Sequence, residues 1–192
     1  MDEQFHLALT DEDKRYLGQL VRWSIRRRLD GEPDPVDEEI PEPAGAIPHQ
    51  TLGAFVTLRL EGQLRGCIGL VVGQEALYIA VCRMALAAAF EDPRFPPVSV
   101  DEERHLEIEI SVMGPVEPCP DPQAIIPGRH GLIVRQGMRS GLLLPQVAVE
   151  WGWDAPTFLE HTCRKAGLNP GCWKEPSTRL YWFEAEVFTP PE

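Results

Sequence analysis

The sequence predicts an α+β fold, antiparallel sheets flanked by helices, in two lobes of unequal size that make one compact unit. Three observations predict it. Leu106, Ile108, Ile110 and Val112 alternate with Glu107, Glu109 and Ser111, the pattern of an antiparallel strand with one face on a core. Apolar runs meet at Glu61-Gly62-Gln63 and again around residues 137–141, which reads as two hairpins. The helical periodicities do not alternate one for one with these strands, which argues against a βαβ series.

Each element has its own warrant. Thr10 followed by Asp11, Glu12 and Asp13 is a helix start, a hydroxyl cap with acids over the positive end of the dipole. Leu17, Leu20, Val21, Ser24, Ile25 and Leu29 then recur at helical spacing, and Gly31 is placed to stop the helix. Residues 32–48 are proline-rich and acidic, an extended surface connector. Residues 54–60 read as a strand and residues 64–72 as its return. A largely apolar helix follows over 74–90, ended by Asp92-Pro93. Prolines 115, 118, 120, 122 and 127 break the chain again and mark a lobe boundary. Asp154 caps a helix entered through Pro156, with Phe158, Leu159, Thr162, Cys163 and Ala166 on one face. Gly167-Leu168 fits its C-cap, and residues 180–188 form a last strand.

Composition excludes some functions. A net charge of -12 opposes any role that rests on neutralising phosphates. Arg22, Arg26, Arg27 and Arg28 make a local basic patch, read as a solvated helix face, so nucleic-acid binding is disfavoured. The most apolar stretch, 76–90, is short for a membrane span and carries Arg83. Five cysteines without pairing intervals argue against a disulfide framework and place the chain in the cytoplasm.

The most informative segment is Leu64-Arg65-Gly66-Cys67-Ile68-Gly69. Glycines flanking a thiol let a backbone or a small ligand approach, and the adjacent guanidinium favours the thiolate. The alternative is a cysteine acting as a small hydrophobe beside a β-bulge. Cysteine catalysis needs a base and a group that orients it. Of the histidines, His6 and His49 lie near the terminus and in the connector, and His105 begins a strand among charges. His161 and Cys163, two residues apart on one helix, point to different faces. His130, in the glycine-flanked turn Gly128-Arg129-His130-Gly131, is the candidate base. Glu150, between an apolar run and two tryptophans, is the candidate orienting acid or a paired structural one. A zinc site from Cys67, His130, Cys163 and Glu150 matches no short ligand spacing, and the sequence points to no metal or cofactor. Phosphate-loop, G-x-S-x-G, H-E-x-x-H and calcium-loop patterns are absent.

The hexapeptide resembles the signature of the AMMECR-type domain, called AmmeMemoRadiSam system protein A in bacteria and archaea. The likeness continues through Ala89-Phe90-Glu91-Asp92-Pro93-Arg94-Phe95-Pro96-Pro97, Glu109-Ile110-Ser111-Val112 and His130-Gly131. It extends to Leu144-Pro145-Gln146-Val147-Ala148 with Glu150, and to Lys165-Ala166-Gly167-Leu168 with Trp173. Ordered blocks of this kind cover roughly residues 7–188. The resemblance implies a single two-lobed α+β domain over 1–192, a larger lobe near 7–115 with the C-terminal elements and a smaller one near 116–150, with a cleft at the hexapeptide. It also implies working partners, a Memo-type protein and a radical S-adenosylmethionine protein, while the family's biochemical function is unassigned. The resulting expectation is a Cys-dependent enzyme for a small anionic organic molecule. Cys67, His130 and Glu150 are its catalytic candidates, and Arg65, Gly66, Gly69 and Arg94 its binding candidates. A non-catalytic binding, scaffold or regulatory module is the alternative, with RNA association a more distant one.

Overall fold

A computed structural model describes residues 7–35 and 39–191; His6 lies outside them. The chain divides into two compact units, residues 7–113 with 186–191 and residues 114–185.

The first unit opens on α1 (Asp11–Leu29). The Thr10 hydroxyl accepts from Asp13 N at 3.1 Å and the Asp13 carboxylate accepts from Thr10 N at 3.0 Å, a reciprocal cap that satisfies two orphan donors. Leu17, Leu20, Val21 and Ile25 form its buried stripe. β1 (Gly53–Leu60) and β2 (Gln63–Leu70) form the predicted hairpin. Its tip is tighter than expected, because Leu60 pairs with Gln63. Glu61 and Gly62 both take positive φ (51° and 73°), the I′ geometry that matches strand twist. β3 (Leu106–Met113) pairs with the other side of β1, so β2 is an edge strand. α2 (Leu77–Phe90) packs on β1 and β2 and buries Val81, Ala85, Ala88 and Ala89. A short helix the sequence did not announce, α3 (Val100–Glu103), is capped by Ser99 with Glu102 at its third position.

The connector is less extended than expected. It buries Ile40, Pro43 and Pro48, forms a 3-10 turn over Ile47–His49, and accepts a hydrogen bond from the Tyr16 hydroxyl at Pro41 O. Ile40 packs with Leu20 and Cys82, so apolar residues spaced among prolines tie this segment down.

In the second unit, β4 (Glu117–Pro118), β5 (His130–Gln136), β6 (Arg139–Leu143) and β7 (Arg179–Phe188) form antiparallel pairs in the order β6-β5-β7-β4. The β5–β6 turn is Gly137-Met138 alone, since Gln136 pairs with Arg139. α4 (Pro145–Glu150) and α5 (Ala155–Lys165) follow β6. Asp154 caps α5 as predicted, accepting from Thr157 N at 2.9 Å. Leu132, Ala148, Phe158, Leu159 and Trp182 share one core cluster.

Cys163 and Cys172 form a disulfide, Cα atoms 6.1 Å apart, against the expectation of none. Their spacing matches no common interval; α5, the turn at Gly167 and the 3-10 turn Cys172–Lys174 fold the two together. The bond also removes Cys163 from any zinc constellation. Among the described residues no helix is long and apolar enough to cross a membrane.

Candidate functional site

Cys67 sits on β2 opposite Thr57, and the Thr57 hydroxyl donates to its Sγ at 3.3 Å. On an edge strand the backbone groups facing away from the neighbour need other partners. Those of Cys67 have them. Its N–H donates to Asp92 Oδ2 at 2.9 Å, and its carbonyl accepts from Arg94 Nη2 at 3.1 Å. Asp92, just past the end of α2, is only 4% exposed and also accepts from Arg94 N (3.1 Å), Nε (2.9 Å) and Nη2 (2.6 Å). The Arg94 guanidinium holds its carboxyl well below the usual carboxylate range, helped by the Cys67 and Arg94 N–H groups and against the effect of burial. Arg94 itself stays half exposed, its side chain at 53%. A charged fork is therefore fixed at the outer edge of β2, beside the partly exposed thiol.

The other two free cysteines are poor nucleophiles. Burial pushes the Cys82 thiol up and raises Cys119 to about 11, so both stay protonated near neutrality.

Three binding candidates of the hexapeptide are occupied by the protein itself. Arg65 is buried; its Nε and Nη2 grip Glu102 (2.8 and 3.1 Å) and its Nη1 and Nη2 donate to the Pro96 and Pro97 carbonyls (2.8 and 3.2 Å). It clamps the 96–102 segment and is not a free anion anchor. A Cβ on Gly66 would lie 2.1 Å from Ala88 O, so this glycine seats α2 against β2. A Cβ on Gly69 would meet the Phe55 ring at 2.2 Å. The close approach these glycines permit is made by the chain, and Arg94 is the binding candidate left available.

His130 and Glu150 belong to the second unit, and the structure changes the setting expected for each. His130 is not a turn residue but the first residue of β5, 3% exposed and packed on Trp182 with ring centroids 4.4 Å apart. Its Nδ1 accepts from Ile126 N at 3.1 Å, which puts the proton of the neutral ring on Nε2. Nε2 is buried and has no hydrogen-bond partner among the described residues. Burial, then the Arg129 cation, lower its pKa, with Glu184 opposing them. The Nδ1 lone pair that a base would use is taken by the Ile126 N–H.

Glu150 is exposed at the end of α4. No hydrogen bond joins it to His130 among the described residues. The acid beside His130 is Glu184, its cross-strand partner on β7, 8% exposed and bound to Arg129 Nε at 2.6 Å. Glu184 and Asp92 are the carboxylates that sequence reasoning missed. Asp92-Pro93-Arg94 was visible as a helix stop, but its pairing to Cys67 is a tertiary fact. Trp153, by contrast, stacks on His161 at 3.7 Å, which occupies that imidazole.

Comparison with known proteins places the chain in a family. The AMMECR1 family model matches residues 19–188. The chain belongs to the AMMECR1 family. A protein of Methanothermobacter thermautotrophicus is 42% identical over 95% of this chain and 97% of its own. Protein PF1979 of Pyrococcus furiosus is 42% identical over 94% of this chain and 89% of its own. The crystal structure of the uncharacterised protein PH0010 from Pyrococcus horikoshii superposes with a TM-score of 0.75 at 40% identity, covering 95% of both chains. The α+β fold of this AMMECR1-family chain is thus that of a solved relative.

Proposed function

We propose that this chain is a Cys-dependent enzyme for a small anionic organic molecule, with Cys67 as nucleophile and Arg94 holding the anionic group. One observation carries the reading: Asp92 fixes a half-exposed guanidinium against the carbonyl of Cys67. A guanidinium so placed attracts an anion towards Cys67. The Thr57 hydroxyl adds a hydrogen bond to the sulfur. In the proposed step the thiolate forms an S–C bond at an electrophilic carbon and the displaced group leaves with its electron pair. Water or a second substrate then takes the carbon group, restoring the thiol. The reading needs no residue of the second unit. The family resemblance adds Memo-type and radical S-adenosylmethionine proteins as working partners.

A second reading, a non-catalytic binding or scaffold module, is favoured by the way Arg65, Gly66 and Gly69 are consumed by packing. Paired alkylation rates separate the two. Iodoacetate carries the anion that Arg94 should attract, and iodoacetamide does not. Under the enzyme reading Cys67 reacts faster than Cys82 and Cys119, and the iodoacetate-to-iodoacetamide rate ratio falls about fivefold in Arg94→Gln, the effect of one nearby charge at intermediate dielectric. Arg94→Lys, which keeps Asp92 paired, should retain most of the ratio. An unchanged ratio in a folded Arg94→Gln protein supports the scaffold.

A further inference from the structure

The basic run at the end of α1 is already neutralised. Arg26 pairs with Glu103 at 2.5 Å, Arg27 with Glu32 and Glu39 at 3.2 and 3.3 Å, and Arg28 with Asp34 and, at 3.2 Å, Glu91. Two arginines of the same helix differ. Among the described residues neither Arg15 nor Arg22 has a carboxylate partner; Arg22 donates only to the Leu106 carbonyl, at 3.1 Å. In a chain of net charge -12, two cations of one helix without a carboxylate partner among the described residues stand out.

They also share a concavity. Seven residues apart, Arg15 and Arg22 lie on one face of α1, about 10 Å apart along its axis. Both line an open cavity of about 420 Å³. Gln19 lies between them on the helix, and Leu106 and Ile108 supply apolar wall. The opposite side is the C-terminal segment through Pro190. A Cβ on Gly18 would lie 2.3 Å from the Pro190 ring, so Gly18 is what lets that segment seat against α1. Glu107 also borders the space, and its carboxylate accepts from Gly62 N at 3.0 Å. A negative charge there disfavours ligands charged along their whole length, such as a nucleic-acid backbone.

We propose that this cavity binds a small organic dianion, a dicarboxylate with an apolar midsection, its two ends on Arg15 and Arg22 and its methylenes against Leu106 and Ile108. The cationic ends sit apart with apolar surface between them, and that spacing selects a two-ended ligand over a compact anion. The site shares no residue with the Cys67 cluster, so it stands independently of the reading above.

The test is calorimetric titration of the full chain at low ionic strength with adipate as probe, against hexanoate, adipamide and inorganic phosphate. Adipate should bind saturably, hexanoate about tenfold more weakly, and adipamide without detectable heat, since a charge-assisted pair is worth roughly one to two decades. Arg15→Gln and Arg22→Gln should each weaken adipate about tenfold with circular dichroism unchanged. Arg22→Lys, which retains the charge, should recover part of the loss. Amide shifts on adipate addition should centre on Gln19 and Ile108. Absence of saturable adipate binding, binding indifferent to both substitutions, or phosphate binding as tightly as adipate would each overturn the proposal.

Discussion

At the scale of single residues, His130 shows how one backbone hydrogen bond changes a chemical role. The Ile126 N–H occupies the Nδ1 lone pair, so protonating the ring means breaking that bond inside a site that burial and Arg129 already make hostile to cation. We expect ¹⁵N spectra of the labelled protein to show an Nε2–H tautomer that stays neutral below the ordinary histidine pKa of about 6.5. An Nδ1–H pattern, or a midpoint at or above that value, would disprove this. The same residue marks the limit of the sequence. Its imidazole was legible as unusual, because glycines flank it. The acid beside it was not, since Glu184 lies far along the chain and only the β5–β7 register brings it opposite. Glu150, nearer in sequence, points into solvent instead. Arg65 lost its expected role for a similar reason: adjacency to Cys67 says nothing about which carboxylate an arginine finds.

At the scale of elements, helix starts and hairpins were legible because their causes are local. Thr10, Asp154 and the Glu61-Gly62 turn act within three or four residues of themselves. The disulfide was not legible, since its geometry depends on how α5 turns back on itself. Its sulfurs are buried beside Val134, Ala166 and Leu168, so the bond closes a loop of sequence separation 9 that carries the C-cap of α5. Loop-closure entropy for a span of that length gives about 2.5 kcal/mol. Reduction, or paired Cys163→Ala and Cys172→Ala substitution, should lower the urea midpoint accordingly, with hydrogen-exchange protection lost first in α5. Unaltered stability after verified reduction would show that packing alone holds this turn.

At the scale of the whole molecule, acid should act in two stages. His130 has a folded pKa below its unfolded one, so the unfolded chain takes up the proton first. Its neutral burial supports the fold fully above about pH 6.5, and that support declines as pH falls through this value. Glu102, held at about 2 by the Arg65 hydrogen bonds against an ordinary 4.5, and Asp92, depressed by Arg94, behave alike in a lower window. Their stabilisation is complete above about pH 4.5 and is lost as pH drops towards their folded values. Loss of net negative charge works the other way, easing self-repulsion as pH approaches the isoelectric point near 4.9. That repulsion is spread over a solvated surface and screened by salt, so at about 0.2 M NaCl the buried groups should dominate. Urea unfolding at a series of pH values should therefore show a shallow decline beginning near pH 6.5 and a steeper one below 4.5. His130→Gln, which keeps a donor near the Nε2 position but cannot titrate, should abolish the shallow limb and leave the steep one. If the wild type and this variant decline in parallel throughout, His130 is not the group that titrates in the upper window.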